Sequence, residues 1–391
     1  MKLFLKIALS DFENESRNKR ELSVVSRFNM KIIVMAKGEN NEIIAENGYE
    51  IHRRTTRPLT KHKLFIRFNR LCSIITWAFY ARRLKPYCIS CHDLVALLIG
   101  WFSTLMVPKK NKPLLVYDSH EFEIGRNTNG KRKKIATKII PKLEKFLMNK
   151  CAFSIMVNDS IAREVHRIHN LTNMPVVVRN IPNYWNIDQN ICHERKKEIC
   201  TQLGMPIETF VVMYHGVVTK GRGIEILLKS IKENINIIGV ILGNGDTNYI
   251  EYLKKIATEL GVSDRVLFKN AVPIDTLWQY VGAADVGMIT IPAVSESYYY
   301  MLPNKFFENI QSLTPVICSD FPEVSKIVND YDIGLLVNPD NIDEIVASIE
   351  QMRTNSEVYS RFKSNLIQAK KELCWENESK VLEKAYAKIL R

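Results

Sequence analysis

"TFVVMYHGVVTKGRGIEILLKSIKENINIIGVILG", residues 209–243, is the stretch whose reading decides the fold. Its opening run, 209–218, is β-branched and aromatic and reads as a strand. In "GIEILLKSIKEN" (223–234) the apolar positions recur at helical spacing, and "IIGVILG" (237–243) is a second apolar run. A strand, a helix and a strand apolar along its length point to a parallel sheet covered on both faces.

The same alternation extends in both directions. Downstream, "RVLFKNAV" (265–272), "DVGMITI" (285–291), "TPVICS" (314–319) and "IGLLVN" (333–338) read as strands between helices, and helical segments at 341–353, 356–373 and 376–390 follow. Upstream, strands are expected at 2–9, 31–36, 86–90, 113–119, 153–158 and 174–180, with helices at 20–28, at 94–107 and after 158. The expected fold is α/β, two doubly wound Rossmann-like domains facing a cleft, with ligands at the carboxyl ends of the strands. The Pro-containing stretch "RNIPNYWN" sets the boundary: 1–186 for the first domain, 187–375 for the second, and 376–391 as a C-terminal helix packing back on the first. No short-period repeat is present.

With 46% apolar and 25% charged residues, disorder is excluded. The net charge of +13 divides unevenly. Residues 1–186 hold 33 Lys and Arg against 15 Asp and Glu, whereas the remainder holds 22 against 27. A basic half implies an anionic partner for it alone: nucleic acid, a phospholipid surface or a phosphorylated substrate. The eight cysteines are scattered apart from Cys88 and Cys91, and acidic residues stand near the start where a signal peptide would be cleaved. Both point to the reducing cytoplasm. The longest apolar run, 94–107, is short of the roughly 20 residues that span a bilayer.

Two segments of the second half carry chemistry. In "MLPNKFFENIQSLTPVICSD" (301–320) a helix begins near Asn304, and its free N–H groups and dipole make an anion seat to which Lys305 adds a positive charge. Glu308, one turn in, can accept hydrogen bonds from two adjacent sugar hydroxyls, as on a ribose; alternatively it stabilises its own helix. In "YHGVVTKGRGIEILL" glycines allow close backbone approach, and Lys220 and Arg222 suit a diphosphate; alternatively both are solvated turn residues. "LGNGD" (242–246) has two of the three glycines of a dinucleotide fingerprint and is not specific.

In order and spacing, "YHG", "KGRGIEILLKSI", "VILGNGD", "RVLFKNAV", "LPNKFFENIQSLTPVICSD" and "DIGLLVNPDNIDEIVASIEQM" resemble the retaining nucleotide-sugar glycosyltransferases of family 4, of GT-B architecture. "VYDSHE" (116–121) and "NIPN" (180–183) look like that family too. The resemblance implies that Arg222, assisted by Lys220, meets the donor diphosphate and that Glu308 holds the ribose. It further implies that His120 touches the donor sugar, that Gly216 and the loop of Met301, Leu302, Asn304 and Lys305 border sugar and phosphates, and that backbone around Val272 reads the base. Departures from the family pattern are Tyr300, where a second glutamate is usual, Val217, where an arginine is usual, and "SDFENESRNKR" in place of a glycine-rich loop; Glu296 is a candidate substitute for the missing carboxylate.

With cations to stabilise the leaving diphosphate, no metal and no cofactor are expected. "DYD" (330–332) resembles a manganese-binding Asp-x-Asp, "CISCH" (88–92) fits a haem-attachment pattern, and His166 and His169 share a helical face; each reads better as structural. The stretches 53–70 and 130–150 mix Lys and Arg with apolar residues and suit an anionic membrane surface, or are ordinary solvated faces; no nucleic-acid module is apparent.

The expectation is therefore a cytoplasmic glycosyltransferase, peripheral on the inner membrane face. It moves a sugar from a UDP- or GDP-sugar to a saccharide acceptor, lipid-linked, in surface polysaccharide synthesis. The alternatives are a nucleotide-sugar epimerase or hydrolase of the same architecture, and a non-catalytic lipid- or partner-binding relative.

Overall fold

The computed structural model describes residues 1–13, 15–46, 48–55, 66–125 and 134–390. The chain divides into two compact units, Met1–Arg179 with Glu378–Arg391, and Asn180–Asn377. Both are Rossmann-like α/β domains with parallel sheets, as the alternation of elements requires.

The first unit runs β1 (Leu3–Ile7), α1 (Ser16–Val25), β2 (Lys31–Lys37), β3 (Glu42–Glu46), β4 (Tyr49–Arg54), α2 (Ile66–Arg83), β5 (Cys88–His92), α3 (Asp93–Thr104), β6 (Leu114–Asp118), α4 (Lys134–Met148), β7 (Phe153–Met156), α5 (Asp159–His169) and β8 (Val176–Val177). The described strands form one sheet in the order β3-β4-β2-β1-β5-β6-β7-β8, in which only the edge strand β3 pairs antiparallel. Strand order reverses between β1 and β5, so that the carboxyl ends there form a topological switch point. The β3–β4 hairpin and α2 were not expected from sequence. β3 is a sheet edge with Ile43 63% exposed, so it lacks the continuous apolar run that marks a buried strand. Most of the basic stretch 53–70 and the start of 130–150 lie outside the described residues.

The second unit runs α6 (Gln189–Gln202), β9 (Phe210–His215), α7 (Ile224–Glu233), β10 (Ile237–Leu242), α8 (Thr247–Glu259), β11 (Val266–Lys269), α9 (Leu277–Val281), β12 (Val286–Ile289), α10 (Glu296–Tyr299), α11 (Asn304–Gln311), β13 (Val316–Ser319), α12 (Pro322–Tyr331), β14 (Gly334–Val337), α13 (Ile342–Thr354) and α14 (Ser356–Glu372). Its strands are parallel in the order β11-β10-β9-β12-β13-β14, with the switch point between β9 and β12. Burial on both faces is explicit in β9: Phe210, Val212 and Tyr214 enter one core with Leu227, Ile231 and Ile349, whereas Val211 and Met213 enter another with Ile199 and Val281. Alternate side chains of a strand point to opposite faces, so six consecutive buried residues need two cores.

The last helix, α15 (Trp375–Leu390), starts in the second unit and completes the first. The first crossing also falls ahead of the boundary drawn at Asn186, because "NIPNYWN" is built into the second unit. Ile181 is fully buried with Phe306, Phe307 and Ile310, and the Trp185 N–H donates to Gln311 Oε1 at 3.0 Å.

Candidate active site

β9 ends at His215 and the chain turns through Gly216, whose φ of 116° suits glycine alone. A neighbouring turn approaches so closely that a Cβ on Gly243 would stand 1.8 Å from the Gly216 carbonyl oxygen, and one on Gly245 2.0 Å from that of Val218. The "LGNGD" glycines thus serve backbone-to-backbone contact. Gly223, at φ 78°, starts α7 against the Thr290 carbonyl.

Against this turn stands the first residues of α11. Pro303 supplies no side-chain cap, and Lys305 is buried with its Nζ 3.7 Å from the centroid of the Tyr214 ring. A Cβ added to Gly216 would lie 3.6 Å from that ammonium, so the missing side chain leaves room beside it. The Lys305 Nζ is buried and has no hydrogen-bond acceptor among the described residues. Desolvation, reinforced by Arg222 and opposed by Glu308, brings the Lys305 pKa down to about 7. The sequence showed the cation; it did not show that the charge is desolvated.

Arg222 reaches over Tyr298 at 5.3 Å from the ring centroid, and its Nε is also buried without a partner among the described residues. Lys220 is exposed, 5.9 Å from the Tyr252 ring. Glu308 is held by His215, Nε2 to Oε2 at 2.9 Å. Neither His215 nor Tyr214 was singled out from sequence; both stand at the end of an apolar strand and differ from core residues only in what lies beyond it. Within this unit, then, Gly216, Arg222, Lys305 and Glu308 draw together at the carboxyl end of β9, next to the switch point.

The remaining candidates border them. Met301 and Leu302 pack on the core under α11, and Asn304 Oδ1 accepts from Asn180 Nδ2 at 2.8 Å. Val272 is half-buried beyond β11, where the Ala271 N–H donates to Asn244 Oδ1 at 3.0 Å. Val217 is 66% exposed, and Glu296 begins α10.

His120 belongs to the first unit, two residues beyond β6. With His92 and Asp118 it forms the one group of three metal-capable side chains among the described residues. Two cations already sit on that carboxylate, Arg17 Nη2 at 2.7 Å from Oδ1 and Lys6 Nζ at 3.7 Å from Oδ2. Arg17 and Lys6 thus already serve the carboxylate that the two imidazoles face.

The other metal-like patterns have structural partners. Asp332 pairs with Arg361 at 2.6 Å, and buried His169 meets Glu144 at 3.1 Å. Cys88 and Cys91, three apart in β5, point to opposite faces and cannot grip one haem.

Residues 196–369 match the family described as Glycosyl transferases group 1. An uncharacterized glycosyltransferase of Methanocaldococcus jannaschii is 28% identical over 68% of this chain. The chain spans less than two thirds of the length of the relatives it matches, 65% of the archaeal one. Sucrose-phosphate synthase from Thermosynechococcus elongatus superposes with a TM-score of 0.79 at 16% identity, covering 99% of both chains. Anabaena HepE in complex with UDP-glucose gives a TM-score of 0.72 at 15% identity, again covering 99% of both. At such identities the structures establish the fold, which is that of GT-B glycosyltransferases. The family match covers less than half of the chain.

Proposed function

We propose that the chain transfers a sugar from a nucleoside-diphosphate sugar, UDP- or GDP-linked, to a saccharide acceptor with retention of configuration. The observation that carries this reading is Lys305: a buried ammonium without an acceptor among the described residues, beside the open turn at Gly216 and near Arg222. A desolvated, unpaired cation is costly to the folded protein and is relieved when an anion arrives. The uncapped start of α11 adds backbone donors, and Glu308, braced by His215, offers its other oxygen to ribose hydroxyls.

Breaking the bond from sugar carbon 1 to the diphosphate builds negative charge on the leaving oxygen. Arg222, Lys305 and Lys220 would stabilise it, in a reaction that needs no metal. HepE, bound to UDP-glucose with the same fold, supports such a donor.

A lipid-linked acceptor at an anionic membrane surface, in polysaccharide synthesis on the cytoplasmic side, completes the reading. Residues 1–179 and 378–391 hold 37 Lys and Arg against 17 Asp and Glu. On α2, Leu71, Ile75 and Phe79 recur at helical spacing and are 48%, 39% and 61% exposed. Such a stripe on a basic unit suits anionic headgroups. No helix among the described residues is long and apolar enough to cross a membrane.

Calorimetry with UDP and GDP, followed by thermal stabilisation across a panel of nucleotide sugars, tests the donor. Absence of nucleotide affinity would leave a non-catalytic binding protein; rapid donor turnover without acceptor would leave an epimerase or hydrolase.

A further inference from the structure

His92 ends β5 and Asp118 ends β6, and the parallel register sets the two residues opposite each other. Their side chains therefore leave the same face of the sheet. The His120 ring meets His92 edge to face, with centroids 3.5 Å apart and planes at 73°. Both rings turn a nitrogen to one carboxylate oxygen: His92 Nδ1 lies 3.7 Å and His120 Nε2 3.5 Å from Asp118 Oδ2. Both nitrogens are buried and neither makes a hydrogen bond among the described residues, so the Asp118 carboxylate is the polar group they face.

The carboxylate itself is fixed. Arg17 donates to Oδ1 from Nη2 at 2.7 Å and from Nε at 3.2 Å, and its Nη1 donates to the Val178 carbonyl at 2.9 Å. Lys6, on the other side, is paired with Glu21. The far nitrogen of His92, Nε2, faces Glu15 Oε2 at 3.8 Å.

An ionised carboxylate only accepts, so a neutral imidazole beside it carries its proton on the nitrogen that faces it. We propose that Asp118, clamped by Arg17, fixes His120 as the Nε2–H tautomer, so that Nδ1 accepts a hydrogen bond from a sugar hydroxyl, and that His92 is the positioning residue holding the ring in that orientation. Burial, with Arg17, His92 and Lys6 adding to it against the pull of Asp118, keeps the His120 pKa well below its usual value. The same neighbours keep the Asp118 carboxylate ionised, Arg17 foremost, against its own desolvation. A neutral ring with an outward lone pair cannot counter phosphate charge; it selects a hydroxyl. The substrate half of the inference rests on the glycosyl-transfer reading, while the tautomer does not.

The test is a long-range proton–nitrogen spectrum of the full chain with labelled histidine at neutral pH, the His120 signals being identified by their loss in His120→Gln. The expected result is an unprotonated Nδ1 and a protonated Nε2. Asp118→Asn offers an amide donor to Nε2 and should shift His120 toward the Nδ1–H tautomer; His92→Ala should give a mixture that His92→Phe, which restores an edge-to-face ring, does not. An Nδ1–H or doubly protonated ring in the unsubstituted protein overturns the proposal, whatever the variants do. If the tautomer is as expected but His120→Gln transfers sugar at the unsubstituted rate, the hydroxyl-accepting role falls and the tautomer assignment remains.

Discussion

Glu308 of α11 and His215 at the end of β9 are joined by a 2.9 Å hydrogen bond, Oε2 to Nε2, which ties the helix to the strand whose turn faces Lys305. One oxygen of the carboxylate is thereby oriented and the other is left for a ligand. Hydrogen bonds to a charged group are worth about 1.5–3 kcal/mol, so Glu308→Ala should weaken UDP or GDP binding roughly 10- to 100-fold. His215→Phe, which frees the carboxylate without removing it, should cost less. Calorimetry reads both, and equal affinity in all three proteins would remove Glu308 from the nucleotide site.

Lys305 makes donor affinity depend on pH. Its pKa, brought down to about 7 by burial, means that charge is lost as pH rises through neutrality, and a pyrophosphate binds the charged form better. Affinity for a nucleoside diphosphate should therefore fall between about pH 6 and pH 9, by at most tenfold per unit. Lys305→Met should bind weakly throughout and lose that slope. A slope unchanged in the variant would assign it elsewhere.

Gly223→Ala should be strongly destabilising. The residue has φ 78°, and a Cβ would stand 2.1 Å from the Thr290 carbonyl oxygen, so both conformation and space oppose it. A loss of about 2–4 kcal/mol is expected by urea unfolding, from strain and steric displacement together. A variant as stable as the parent would mean that the turn into α7 is not built as described.

Vesicle sedimentation checks the membrane reading. Vesicles rich in phosphatidylglycerol should carry the protein down, less so as salt rises, and those of phosphatidylcholine should not. The triple change Leu71→Ser, Ile75→Ser and Phe79→Ser should reduce binding at least tenfold. These side chains are exposed, so folding should be unaffected. Equal sedimentation of the variant would take the stripe out of any membrane contact.

Legibility in the sequence followed burial. β9, β10, β12 and β13 lie inside the sheet, with every residue buried, and appear as apolar runs that no other element explains. β3 has an exposed edge, and α2 carries apolar side chains on its outer surface, so neither has a pattern that separates inside from outside. Arg222, Lys305 and Glu308 were visible because charged residues near glycines and a helix start are unusual company. Tyr214 and His215 were not, and His92 showed only as the last residue of a haem-like pattern: they stand at the ends of apolar strands, and only the register of a neighbouring strand or the approach of α11 gives them a role. The depressed charge of Lys305 comes from desolvation, which no linear spacing records.

The helix α15 has a consequence for how the protein is made. Tyr386 is fully buried between Phe4 and Phe153, with its hydroxyl on Glu21; the Tyr87 hydroxyl donates to the Ile389 carbonyl, and Glu378 grips Arg179. The amino-terminal lobe thus waits, through synthesis of some two hundred intervening residues, for the segment that closes its floor. During translation the carboxyl-terminal lobe can finish first, and a polypeptide cut before residue 378 would leave the earlier lobe with an unfilled apolar hollow, a ready target for chaperones.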